Sequence, residues 1–121
     1  MKGIWRINIA QDVQRILAGR TSVNPMNRAE LLYELRARGH DELNDRVMRN
    51  EVARAVIDGH APIGTTTMGY FLVTCRADML AADGELMAKA QAISVRRNAL
   101  WRNFQEHVEK AEQLEMPGLT G

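Results

Sequence analysis

Residues 44–73, NDRVMRNEVARAVIDGH followed by APIGTTTMGYFLV, place the tightest constraint on the fold. Met48, Val52, Ala55 and Gly59 fall at i, i+4, i+7 and i+11, the spacing of one buried helix face. Asn44 or Asp45 is placed to cap this helix, and Gly59 to end it. The helical period then stops. Ile63 opens a β segment, Gly64 and Gly69 bracket TTTM, and YFLVT reads as the returning strand of a hairpin. A helix running directly into a hairpin leaves few architectures for a chain of 121 residues, which has length for one modest core.

Upstream, Asn8 is placed to cap a first helix over about 9–19, with Ile9, Val13, Ile16 and Leu17 on one face and Gly19 at its end. The stretch TSVNPMN reads as a loop broken by Pro25. Asn27 caps a second helix with an apolar stripe of Leu31, Leu32 and Leu35, stopped at Gly39. HDELND is a polar connector with Leu43 turned inward, and His40, Asp41 and Glu42 read as solvated. From about Asp78 to Leu114 the pattern is helical again, roughly 55 Å of helix if unbroken, with Gly84 as the expected break. The tail MPGLTG is expected to be mobile. The expected division is a domain over 1–75 and a helical extension over 76–121.

Composition excludes several classes. Apolar residues make up 45% and charged residues 26%, as in ordinary globular proteins. No apolar run is long enough to span a membrane, and no secretory h-region precedes Asp12. The single cysteine, Cys75, allows no intrachain disulfide and fits a reducing, cytoplasmic setting. Net charge is +1, so any footprint for a polyanion is local. Residues 1–40 hold seven basic and three acidic residues, 41–60 three and five, and 61–121 six and seven.

The order helix, helix, helix, hairpin resembles the winged helix-turn-helix. Residues 10–74 resemble winged-helix domains of the biotin-repressor type and the small winged-helix proteins of phages and prophages. Leu31 and Leu35, then M-x3-V-x2-A-x3-G from Met48 to Gly59, then PIGTTTMGYFL from Pro62 to Leu72 carry the resemblance. The hairpin is its most specific part: Gly69 permits the positive φ of the tip, and Tyr70 closes the hairpin onto the core. The connector after the second helix departs from the motif, being long and acidic for a tight turn. The implied fold class is mainly α with a small β-hairpin wing, followed by a long C-terminal helix.

On the third helix, Arg46, Asn50 and Ala53 lie opposite the buried face, flanked by Arg49 and Arg54. Arginine pairs bidentately with guanine and asparagine with adenine, so Arg46, Arg49, Asn50 and Arg54 are candidates for a major-groove contact. The competing reading is a solvated face carrying Asp45–Arg49 and Arg54–Asp58 ion pairs. Asp41, Glu42, Asp45 and Glu51 oppose phosphate. Thr65, Thr66 and Thr67 suit either a phosphate-contacting wing tip or a plain turn. Arg28 opens the second helix, where backbone N–H groups also face outward. Arg36 and Arg38 read as ordinary surface charge.

Met79, Leu86, Ile93, Leu100 and Leu114 recur at sevens, with His107 in the remaining slot and Asp83, Ala90, Arg97, Phe104 and Ala111 between them. Trp101 widens this imperfect seam. Leu86, Ile93, Leu100, Trp101 and Phe104 are therefore candidates for coiled-coil or bundle packing in a homodimer. No metal-ligand spacing, P-loop or catalytic constellation is present, and no cofactor is implied. Cys75 reads as packing rather than as a nucleophile. Two functions remain open: a phage-type protein binding double-stranded DNA as a homodimer, or a winged-helix adaptor or inhibitor that contacts a host or phage protein partner and no nucleic acid.

Overall fold

A computed structural model describes the backbone of residues 2–115 and the side chains of residues 8–113. The chain is mainly helical, with one two-stranded antiparallel hairpin. The order is α1 (Lys2–Ile16), α2 (Arg28–Ala37), α3 (Asp45–Ile57), β1 (Ile63–Thr66), β2 (Gly69–Leu72), α4 (Arg76–Phe104), a π turn (Gln105–Glu109) and α5 (Lys110–Glu115). It divides into two compact units. The first reaches Glu85, and the second begins at Leu86 inside α4.

Two caps begin as the sequence predicts. The Asn27 Oδ1 accepts from the Glu30 N–H at 2.8 Å and so caps α2, and the Asn27 Nδ2 donates to Glu30 Oε1 at 2.7 Å, which steadies the capping side chain. Asn44 caps α3 by accepting from the Val47 N–H at 2.9 Å. The first helix differs: Asn8 lies within α1 and caps nothing, because helical backbone starts at Lys2. The turns after α1, α2 and α3 close on Gly19, Gly39 and Gly59, all with positive φ. Gly59 is thus beyond the end of α3 and exposed, not part of its buried face.

The core of the first unit joins Ile9, Val13 and Leu17 of the first helical segment to Leu31 and Leu35 of α2. Leu43 and Met48 lie with them, all seven fully buried, and Met26, Ile63 and Tyr70 extend the same cluster to the hairpin. Val52 and Ala55 continue the inner face of α3. His40, expected in solvent, is mostly buried, and its Nε2 lies 2.7 Å from Asp12 Oδ2, tying α1 to the α2–α3 connector. Arg36 is also structural: its Nε donates to the Leu43 carbonyl at 2.8 Å.

The hairpin pairs Ile63 with Leu72, Gly64 with Phe71, Thr65 with Tyr70 and Thr66 with Gly69. Phe71 is fully buried and its ring covers Gly64, where an added Cβ would lie 2.5 Å from the ring. Part of the expected TSVNPMN loop joins the sheet. Met26 and Tyr70 exchange both backbone hydrogen bonds at 2.8 Å, an antiparallel rung between the segment before α2 and β2. Gly69, φ +143°, sits where any Cβ would run into the Met26 carbonyl oxygen.

The start of α4 belongs to the first unit. Asp78 is buried, and its Oδ1 accepts from the Ser22 hydroxyl at 2.7 Å and the Ser22 N–H at 3.1 Å. The Ser22 hydroxyl first, then its N–H, hold the Asp78 carboxyl below its ordinary value of 3.8. Cys75 is exposed, contrary to the expected packing role, in the short link between β2 and α4. Nor does Gly84 break the helix: α4 passes through it without interruption. The interruption comes at the π turn, where the Lys110 N–H bonds to the Gln105 carbonyl, five residues back. The MPGLTG tail lies outside the described residues. Among the described residues no helix is long and apolar enough to cross a membrane.

Candidate nucleic-acid interface

The third helix owes its orientation to its own period. With Met48, Val52 and Ala55 in the core, Arg46, Arg49, Asn50 and Arg54 are turned outward, and all four are exposed. Arg46, Asn50 and Arg54 succeed one another at i, i+4 and i+8 along one outer row, and Arg49 lies beside it.

Arg28 and Arg49 converge on one carboxylate. Arg28 Nε lies 2.7 Å from Asp45 Oδ1, and Arg49 Nε lies 3.2 Å from Asp45 Oδ2. Residues 28 and 45 are the first of α2 and α3, so the two N-terminal turns are joined by this bridge. All three side chains are roughly half exposed, and such pairs are worth about 0–1 kcal/mol. Their larger effect is on charge: two guanidinium groups and one carboxylate leave a local +1. The buried Tyr70 phenol lies in the same field. Burial raises its pKa above 10.0, Asp45 adds to the rise, and Arg28 and Arg49 oppose it.

The three threonines divide. Thr65 and Thr66 are half-buried in β1, and only Thr67 shares the exposed turn with Met68. Thr66 Oγ1 accepts from the Met68 N–H at 3.2 Å, which stiffens the turn. The Thr67 N–H donates to Glu85 Oε1 at 3.3 Å, so the donor expected for phosphate is engaged by a carboxylate of α4. Arg28 likewise faces Asp45, whereas its place in the sequence suggested phosphate.

Sequence reasoning anticipated the Asp45–Arg49 pair and missed the Asp45–Arg28 one. A usable signal was present, since Asn27 and Asn44 mark two helix starts and residues 28 and 45 each follow a cap. Glu85 carried no signal, because its contact with Thr67 spans eighteen residues. Among the described residues no group of three or more His, Cys, Asp and Glu is arranged to hold a metal ion.

A second surface lies in the other unit. Leu86, Ile93, Leu100, Trp101 and Phe104 are all exposed, from 38% for Phe104 to 68% for Leu100. Trp101 and Phe104 meet edge to face, ring centres 5.9 Å apart at 86°. The wide turn after Phe104 changes the heptad, so that Val108, not His107, follows Phe104 along the stripe. No protein family, curated protein or solved structure matches the chain.

Proposed function

We propose that residues 10–74 form a winged helix-turn-helix that binds double-stranded DNA, with α3 as the reading helix. In this reading the chain is a homodimer through its C-terminal helix. It acts in transcription or replication control of the phage or prophage kind, in the cytoplasm. The observation that carries the reading is the outward row Arg46, Asn50 and Arg54, with Arg49 beside it, on a helix whose opposite face is anchored in the core. The Met26–Tyr70 rung supports it by binding the hairpin to the segment that leads into α2. The hairpin is thereby tied to the start of α2, whose first residue, Arg28, pairs with Asp45 at the start of α3. Two half-site contacts combine into a useful affinity when each is weak.

A mobility-shift titration on duplex DNA between 20 mM and 200 mM salt (about one decade) tests the reading. Affinity is expected to fall linearly on logarithmic axes, with a shallow slope because few cations are available. Arg46→Ala with Arg49→Ala abolishes the shift at low salt. No retardation of the wild-type chain at any salt would sink the DNA reading.

A second reading, a protein-interaction module without nucleic acid, is favoured by the two carboxylates at the surface. Asp45 pairs with Arg28 and with Arg49 beside the α3 row, and Glu85 accepts from the Thr67 N–H at the hairpin tip. A stoichiometric protein complex that survives nuclease treatment, together with no shift on duplex, decides for this reading.

A further inference from the structure

The helix from Leu86 onward is divided by charge. Residues 86–104 hold Lys89, Arg96, Arg97 and Arg102 and no acidic residue. Residues 105–113 hold Glu106, Glu109 and Glu112 against Lys110 alone. Both blocks lie on one continuous run of helical and π backbone, where only residues three to five positions apart can meet. Among the described residues no ion pair forms anywhere in 86–113. Among the described residues the cationic block therefore has no ion-pair partner.

The apolar stripe Leu86, Ala90, Ile93, Leu100, Phe104 and Val108 runs through both blocks, with Arg97 in its middle. A parallel in-register partner would set Arg97 against Arg97 and the cationic block against itself. An anionic bilayer would attract 86–104 and repel 105–113. A second copy running the opposite way can set Arg96 and Arg97 of each chain against the acidic block of the other.

We infer that the C-terminal helix pairs with a second copy of itself in antiparallel orientation, centred between Leu100 and Phe104. In this register Leu100 packs beside Phe104 of the second copy, and Arg96 and Arg97 lie over its Glu106–Glu109 stretch. Arg97, which interrupts the stripe in one chain, is neutralised in the pair. The apolar stripe supplies the attraction, and the charges select the orientation, as flanking charges do in coiled coils. This rests on the self-association reading above and adds its direction and register.

The test uses the full chain with Cys75→Ser. Light scattering reports mass, and a spin label at Gln113→Cys reports the distance between copies. A dimer with labels about 30 Å apart is expected, since about 22 residues of helix rise at 1.5 Å each separate them. Labels within about 15 Å in a dimer would overturn the antiparallel arrangement and leave self-association standing. A monomer at 1 mM (about the weakest useful affinity) would overturn both, and a monomer that sediments with phosphatidylserine vesicles would assign the face to lipid instead. Arg96→Glu with Arg97→Glu weakens the dimer at least tenfold, and adding Glu106→Lys with Glu109→Lys restores it. In a parallel pair the first reversal leaves affinity unchanged, which would also overturn the proposal.

Discussion

Arg28 of α2 and Asp45 of α3 form a 2.7 Å ion pair between the first turns of their helices. Asp45 also takes Arg49 at 3.2 Å, so one carboxylate occupies two of the cations that the proposed DNA contact would use. A phosphate must displace it before it can take both.

Asp45→Asn is accordingly expected to strengthen DNA binding about fivefold at low salt, the equivalent of about 1 kcal/mol. It should also steepen the salt dependence, because more cations become available to release counterions. Fluorescence anisotropy on a labelled duplex measures both. An unchanged affinity in a wild-type protein that binds DNA means that Arg28 and Arg49 do not contact the phosphates.

The Ser22–Asp78 contact predicts an acid limb of stability. The Asp78 carboxyl is held below 3.8 in the folded chain by the Ser22 hydroxyl and N–H. Near and below 3.8 the unfolded chain binds more protons, so folding stability falls as pH decreases. The contribution is intact above the unfolded value and disappears as pH falls through the lower, folded one. Urea midpoints measured between pH 6 and pH 3 (about the carboxylate range) should show the fall, and Ser22→Ala should flatten it. Parallel curves for the two proteins would refute the role of Ser22.

Tyr70 predicts the opposite limb. Its folded pKa is raised above 10.0, chiefly by burial and then by Asp45. The stabilisation is therefore complete below the unfolded value and lost as pH rises through the folded one. The chain has two tyrosines, so Tyr33→Phe isolates Tyr70 for ultraviolet titration. Its midpoint should lie above 10.0, and a midpoint at or below that value in the folded protein would disprove the burial argument.

Two glycines should respond to alanine with opposite sign. At Gly69 a Cβ meets the Met26 carbonyl, and φ is +143°. Gly69→Ala should cost about 3 kcal/mol by combining overpacking with backbone strain. At Gly84 a Cβ has open space within a continuous helix. Gly84→Ala should stabilise by up to about 1 kcal/mol from helix propensity. Thermal melts followed by circular dichroism check both, and equal effects at the two positions would contradict this account.

The parts of the fold legible in the sequence are those with a repeating period or a capping side chain. Leu31, Leu35, Met48 and Val52 declare their buried faces by spacing, and Asn27 and Asn44 declare helix starts chemically. The Met26–Tyr70 rung was illegible because a single paired residue has no period, and Pro25 beside it signals only a break. Asn8 misled because helical backbone continues on its N-terminal side, leaving its side chain no free N–H to cap. The outer row of α3 followed directly from the inner one. The positions of Arg28 and Glu85 did not, since each depends on a contact between elements distant in sequence.

The π turn at Gln105–Glu109 holds one residue more than a regular helical turn would. A one-residue deletion there need not break the helix, because closing the turn would absorb it. The segment beyond would keep its phase relative to the stripe before it, with Val108 still following Phe104, because the wide turn is what accommodates the extra residue. A single deletion in this turn would thus leave the seam intact, whereas the same deletion in the regular helix before it would turn everything beyond by about 100° and change which side chains continue the seam.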